Sequence, residues 1–120
     1  MNGGVPAGGG ASDDARVDFL AMIRAMDASL DQDGVDGFRA AFLAMLASMR
    51  TRFKAEEEGL ADSRNPAAAE HAVEHKVLLH MANHVAKMSA VTSDLHYLRF
   101  SLRSIASLLA EHAVRDQMRA

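Results

Sequence analysis

Apolar residues recur along the chain in steps of three and four, the spacing that places side chains on one face of an α-helix. Four stretches show this pattern, separated by turn-forming residues, and none shows the strict alternation typical of a half-buried strand. Short connections join antiparallel neighbours. The pattern therefore predicts an all-α fold, an up-down-up-down antiparallel four-helix bundle.

The first predicted helix begins near Ser12, whose hydroxyl can cap it. Its apolar stripe consists of Phe19, Leu20, Ile23, Met26 and Leu30. Followed back towards the start of the helix, the same stripe reaches Arg16. The glycine- and aspartate-rich segment 31–37 is predicted to break the helix. The second helix is predicted over residues 36–60. Its inward positions are Phe38, Phe42, Met45, Met49, Arg52 and Glu56.

The third predicted helix is capped by Asn65, and Pro66 suits its first turn because the missing N–H is not needed there. Its inward positions are His71, His75, Leu78, Ala82 and Val85. The fourth helix is predicted to start near Ser93 and to reach the C-terminus. Its inward positions are Leu95, Leu98, Leu102, Ile105, Leu109, His112 and Asp116.

Composition agrees with a single helical domain. The chain has 120 residues, of which 49% are apolar and 5% aromatic, with many Ala, Leu and Met residues that favour helices. The absence of cysteine excludes disulfides and thiolate metal ligands. A formal net charge of −3 without a long basic run argues against nucleic acid or an anionic membrane as a partner.

The domain organisation predicted is a flexible glycine-rich tail over residues 1–12 followed by a helical bundle over 13–120. The tail lacks the basic and apolar segments of a secretion signal. No apolar run reaches the roughly 18 residues of a membrane span. We therefore expect a cytoplasmic protein.

Polar members of the four inward stripes are predicted to meet at one end of the bundle. In this topology the start of helix one, the end of two, the start of three and the end of four share an end. Burying such groups costs several kcal/mol unless they satisfy one another or a ligand. Three imidazoles and two carboxylates suit iron, zinc or manganese. The converging residues are Arg16, Arg52, Glu56, His71, His75, His112 and Asp116.

The remaining polar side chains considered are expected at the surface. His80 and His84 are four residues apart but lie on the helix face opposite His71, so an adventitious metal site is the less favoured interpretation. Glu57 and Glu58 are expected to face solvent.

Four segments, RFKAEEEGL, NP, HAVEH and SLLAEHAVRD, follow one another after the tail with specific spacing, including fifteen residues from Glu56 to His71. In these segments the chain resembles the hemerythrin family, including its short bacterial members. The resemblance implies a four-helix bundle that holds a di-iron centre and binds oxygen reversibly. It also implies that His71, His75 and His112 ligate one iron, with Glu56 and Asp116 as bridging carboxylates.

The chain departs from the family pattern at the second iron. The family's His-Phe-x-x-Glu histidine is Arg52 here, and its helix-one histidine aligns with Arg16. All six histidines lie between His71 and His112. Arginine has no lone pair for a metal. Asp116 follows His112 by four positions, where the family has five. These differences predict one metal ion, with the two arginines supplying positive charge at the lost second position.

The favoured function is therefore a hemerythrin-like, non-enzymatic protein with a single non-haem iron, or zinc, that binds or senses oxygen or nitric oxide. Reversible oxygen binding as peroxide needs two electrons, one from each of two ferrous ions, so oxygen carriage of the hemerythrin kind is not expected. A homo-oligomer is possible.

The alternative is a metal-free bundle in which an arginine–carboxylate network replaces the metal, acting as a structural or protein-interaction module. An oxidase or peroxidase ranks last, because the sequence shows no dedicated acid or base beyond the ligands.

Overall fold

The computed structural model describes the backbone of residues 7–119 and the side chains of residues 19–115. Over this part of the chain the fold is all-α, with three helices and no strand. The helices are α1 (Ala7–Asp62), α2 (Ala68–Ser89) and α3 (Leu95–Arg119). Within the described residues, none of the helices combines the length and the apolarity that crossing a membrane requires.

Helix α1 folds back on itself at Gly34. Its 56 residues would extend about 84 Å if straight, at 1.5 Å per residue, whereas the longest dimension of the molecule is 44 Å. Gly34 has φ 70° and ψ −171°, a conformation essentially restricted to glycine. The rings of Phe19 and Phe53, on opposite sides of Gly34, lie 6.3 Å apart. We call the segments before and after Gly34 the first and second arms of α1.

The break in α1 is narrower than the sequence pattern predicted. Non-helical backbone is confined to Gly34, and the helix continues on both sides of it rather than stopping across 31–37. Three helices are therefore described, and the predicted count of four is not confirmed. Helix α1 begins at Ala7, before the predicted start near Ser12. Residues 1–6 of the predicted tail lie outside the described part.

A local turn precedes α2, and a side-chain cap supports the start of α3. The Asn65 Oδ1 atom accepts a hydrogen bond from the Ala67 N–H at 2.8 Å. Ala67 is the N-cap residue of α2 and no side chain caps the helix, so the prediction that Asn65 is the cap is wrong. The Asp94 Oδ1 atom accepts a hydrogen bond from the Tyr97 N–H at 3.2 Å, so Asp94 caps α3. The Asp94 cap satisfies a backbone donor that the first turn of a helix leaves without a helical partner.

Nearly all of the predicted inward positions lie in the core. After Met49 the next buried side chain is Phe53, and Arg52 is partly exposed. Partial exposure is also found at Leu20, Glu56 and Leu95. The predicted positions that are buried are Phe19, Ile23, Met26, Leu30, Phe38, Phe42, Met45, Met49, His71, His75, Leu78, Ala82, Val85, Leu98, Leu102, Ile105, Leu109 and His112. Periodicity alone thus located most of the core.

Contacts between helices show that neighbours run in opposite directions. Near the α2–α3 connection the Tyr97 hydroxyl lies 3.2 Å from His84 Nε2, and farther from it the His75 and His112 rings are 4.9 Å apart. Glu57, near the end of α1, contacts His75 at 2.8 Å. The end of α1, the start of α2 and the last part of α3 therefore meet at one end of the molecule.

Candidate metal centre

Three imidazoles and a carboxylate converge at this end. Glu56 belongs to α1, His71 and His75 to α2, and His112 to α3. One ligand atom from each residue lies within 4.8 Å of the others. Tetrahedral donors about 2.0–2.1 Å from one ion are separated by roughly 3.4 Å. A modest contraction of the side chains would therefore let this group hold a metal ion.

Helical periodicity explains why these four residues meet. His71 and His75 continue the inward stripe of α2 towards its start, and His112 follows Leu109 by three residues on α3. Glu56 follows Phe53 by three residues on α1. Each donor therefore occupies the position at which a core stripe would continue with an apolar side chain.

Burial separates the cluster from ordinary surface histidines. His75 is fully buried, and His71 and His112 are 7% and 2% exposed. The Glu56 side chain is 14% exposed. Buried polar side chains are unfavourable unless their polar atoms bind something. A group of three imidazoles and a carboxylate at this depth therefore indicates a built site.

The Glu56 carboxylate lies between the two histidines of α2. Its Oε1 atom is 3.4 Å from His71 Nε2 and 3.3 Å from His75 Nε2. The centroids of the His71 and His112 rings are 4.6 Å apart, and their planes cross at 82°. The rings therefore surround the carboxylate at steep angles and do not stack on each other.

Two further carboxylates contact the opposite nitrogens of these rings. Glu57 Oε2 lies 2.8 Å from His75 Nδ1, and Glu74 Oε1 lies 2.6 Å from His112 Nδ1. Glu74 Oε2 is also 3.5 Å from a guanidinium nitrogen of Arg115. His75 and His112 thus each have a carboxylate next to Nδ1, whereas their Nε2 atoms face the other converging donors.

No family model, curated protein or solved structure matches this chain. The comparisons therefore assign no family, and the hemerythrin resemblance rests on the sequence motifs alone. The capacity to hold a metal ion is an independent observation, because it follows from the positions of four side chains.

Four of the five predicted metal ligands come together, as the preceding distances show. The fifth, Asp116, lies in α3, and Arg16 lies in α1, but the side chains of both are outside the described residues. Arg52 is one turn before Glu56 and partly exposed. Among residues 19–115, no hydrogen bond or ion pair joins Arg52 to Glu56.

Sequence reasoning overlooked Phe53. Its ring lies flat against His75, with centroids 3.9 Å apart and planes 6° from parallel, and it is 3% exposed. The spacing of apolar residues could have identified it, because Phe53 follows Met49 by four residues and Arg52 follows it by three. Both steps keep a side chain on the same face of a helix. Phe53 takes the core position, which turns Arg52 towards the protein surface near Ser48.

The expectation that Glu57 faces solvent is wrong. Its side chain is 38% exposed, and its carboxylate contacts the buried His75 ring. Glu58 is exposed as expected, and so are His80 and His84. The sequence has three consecutive glutamates and does not show which of them reaches a neighbouring helix. The contact of Glu57 with α2 could therefore not be predicted from the sequence.

Proposed function

We propose that this chain is a hemerythrin-like protein that binds one metal ion, non-haem iron or alternatively zinc, through Glu56, His71, His75 and His112. The observation that supports the proposal is the convergence of four donor atoms from three helices within 4.8 Å. Imidazole and carboxylate donors suit both ions. In this proposal the two arms of α1, together with α2 and α3, form a four-helix bundle of the hemerythrin kind.

The proposal includes three residues whose contribution rests on the resemblance. Asp116, one turn after His112, is a fifth donor. Arg16 and Arg52 supply positive charge at the position where hemerythrins hold a second metal. Arginine cannot donate a lone pair, so this part of the site is not expected to bind an ion.

The proposed role is binding or sensing a small ligand, oxygen or nitric oxide. Four or five protein donors do not fill the six positions that octahedral iron offers. When bound, iron would supply at least one open position for the ligand. The protein would contribute the buried pocket and the fixed orientation of its imidazoles. We propose no catalytic step for this site.

A metal-free bundle that acts as a structural or interaction module is the alternative. It requires arginine to neutralise the carboxylates at this end of the molecule. Within residues 19–115, the carboxylate of Glu56 contacts imidazoles and not Arg52. The contact between Glu74 Oε2 and the Arg115 guanidinium, at 3.5 Å, is the observation that supports this alternative.

The proposal is tested by titrating zinc, or ferrous iron without oxygen, into wild type, His75→Ala and His84→Ala. His75→Ala removes a buried donor, so we expect its affinity to fall by more than about 100-fold, beyond the loss typical of outer-sphere changes. His84→Ala is the matched control, because His84 is an exposed histidine on the same helix. Calorimetry with a competing chelator measures the metal affinity of each of the three proteins. Equal affinities for wild type and His75→Ala would overturn the proposal.

A further inference from the structure

We infer that Glu57 and Glu74 are positioning residues, which hold His75 and His112 in the tautomer that presents Nε2 to a metal ion. The inference rests on the proposed function, because it assigns these carboxylates a role towards the same ion. Neither residue is one of the four converging donors.

The distances determine which ring nitrogen carries the proton in each neutral imidazole. Glu57 Oε2 is 2.8 Å from His75 Nδ1, and Glu74 Oε1 is 2.6 Å from His112 Nδ1. An ionised carboxylate can only accept a hydrogen bond, so Nδ1 must donate. A neutral imidazole has one N–H group. Nε2 of each ring therefore carries a lone pair.

The surroundings of His75 Nε2 favour a metal ion as the partner of its lone pair. The atom is fully buried and makes no hydrogen bond within the described residues. Its neighbour at 3.3 Å is Glu56 Oε1, which is itself an electron-pair donor. Two facing donors repel unless a cation lies between them. A metal ion bound by both atoms would remove this repulsion.

Chain connectivity makes the two carboxylates effective supports. Glu57 is the neighbour of Glu56 on α1 and reaches a histidine of α2, whereas Glu74 is the neighbour of His75 on α2 and reaches a histidine of α3. Each carboxylate therefore ties a ligand to the preceding helix. A carboxylate at Nδ1 fixes the orientation of a metal-binding imidazole and increases its basicity.

Substitutions at Glu57 separate the hydrogen bond from the charge. Glu57→Met removes both, and we expect the zinc affinity to fall about 10- to 100-fold. Glu57→Gln keeps an amide oxygen that can accept the Nδ1 proton, so we expect a smaller loss. Glu74→Met should weaken binding through His112 by a similar factor. Glu58→Met is the matched control, because Glu58 is exposed and adjacent to Glu57.

A second readout does not depend on metal. Two-bond ¹H–¹⁵N NMR correlations of the metal-free protein report the tautomer of each histidine, and we expect the Nδ1–H form for His75 and His112. Glu57→Met should release His75 from this form while leaving His112 unchanged. The tautomer of His75 would not change in Glu57→Met if Glu57 only stabilised the fold. The tautomer can also be measured in wild type, even if a variant fails to fold.

The outcomes separate the inference from the proposed function. Wild type that binds zinc, with an unchanged affinity in Glu57→Met and Glu74→Met, would overturn the positioning role and leave the metal site intact. An Nε2–H tautomer of His75 in wild type would also overturn it. Wild type that binds neither zinc nor ferrous iron would overturn the proposed function, and the metal-positioning role with it.

Discussion

At the scale of single residues, the candidate metal ligands lie where the apolar stripes of the helices end. Periodicity located Glu56, His71, His75 and His112 because each continues an apolar stripe. It selected Arg52 in place of Phe53 because steps of three and four fit a helix equally well. Outer carboxylates such as Glu57 and Glu74 lie beside the stripes, and their contacts depend on how neighbouring helices pack.

Phe53 and Arg52 form a matched pair for testing which residue is part of the core. Phe53 is buried against the rings of Phe19 and His75, so Phe53→Ala should reduce the free energy of unfolding by about 3–5 kcal/mol. Arg52 is partly exposed, so Arg52→Ala should change it by no more than about 0.5 kcal/mol. Urea unfolding of metal-free protein measures both. A loss of several kcal/mol for Arg52→Ala would instead support the arginine–carboxylate network.

At the scale of elements, the position of the break in α1 was predictable but its width was not. The segment 31–37 contains two glycines, and composition marks it as a turn. Only Gly34 has a positive φ, whereas Gly37 is helical, and a Cβ there would lie 2.7 Å from Asp33 Cβ. Both glycines thus serve one sharp reversal, for different steric reasons. Composition does not distinguish a one-residue break from a longer loop.

Gly34→Ala should destabilise the protein through backbone conformation alone. A Cβ at Gly34 meets no atom within 4 Å, but its φ of 70° with an extended ψ is unfavourable for alanine. We expect a loss of about 1–3 kcal/mol. Gly59→Ala is the control: Gly59 is helical with open space at its Cβ, so the substitution should stabilise by about 0.5–1 kcal/mol. Equal effects in urea unfolding would contradict this account of the break.

At the scale of the whole molecule, polar residues of α1 and α3 come close together at two separate levels. Asp27, on the first arm, accepts hydrogen bonds from Arg99 Nε at 2.7 Å and Arg103 Nε at 3.1 Å. The candidate metal centre includes His112, thirteen residues after Arg99, or about 20 Å along the helix. The fold class was predictable because it follows from local periodicity. The Asp27–Arg99 pair was not, because its members are 72 positions apart.

The Asp27 contact should make stability depend on pH in acid. The hydrogen bond from Arg99 lowers the pKa of Asp27, with burial opposing and Arg103 assisting the shift. A carboxylate whose pKa is lower in the folded state stabilises the fold above its unfolded pKa, near 3.9, and loses this contribution as pH falls through the folded pKa. Asp27→Asn should therefore be less stable than wild type by about 1 kcal/mol at pH 6. The difference should vanish in strong acid, and a constant difference in denaturant unfolding at every pH would contradict the assignment.

We propose that the end of the molecule formed by Glu56, His71, His75 and His112 holds one metal ion. Elemental analysis tests it most directly, on protein purified without an affinity tag and reconstituted with ferrous iron in the absence of oxygen. We predict about one iron per chain, since one group of donors converges within the described residues. Two irons per chain would show that the region of Arg16 and Arg52 also binds metal. Protein that stays folded and retains neither iron nor zinc would contradict the claim.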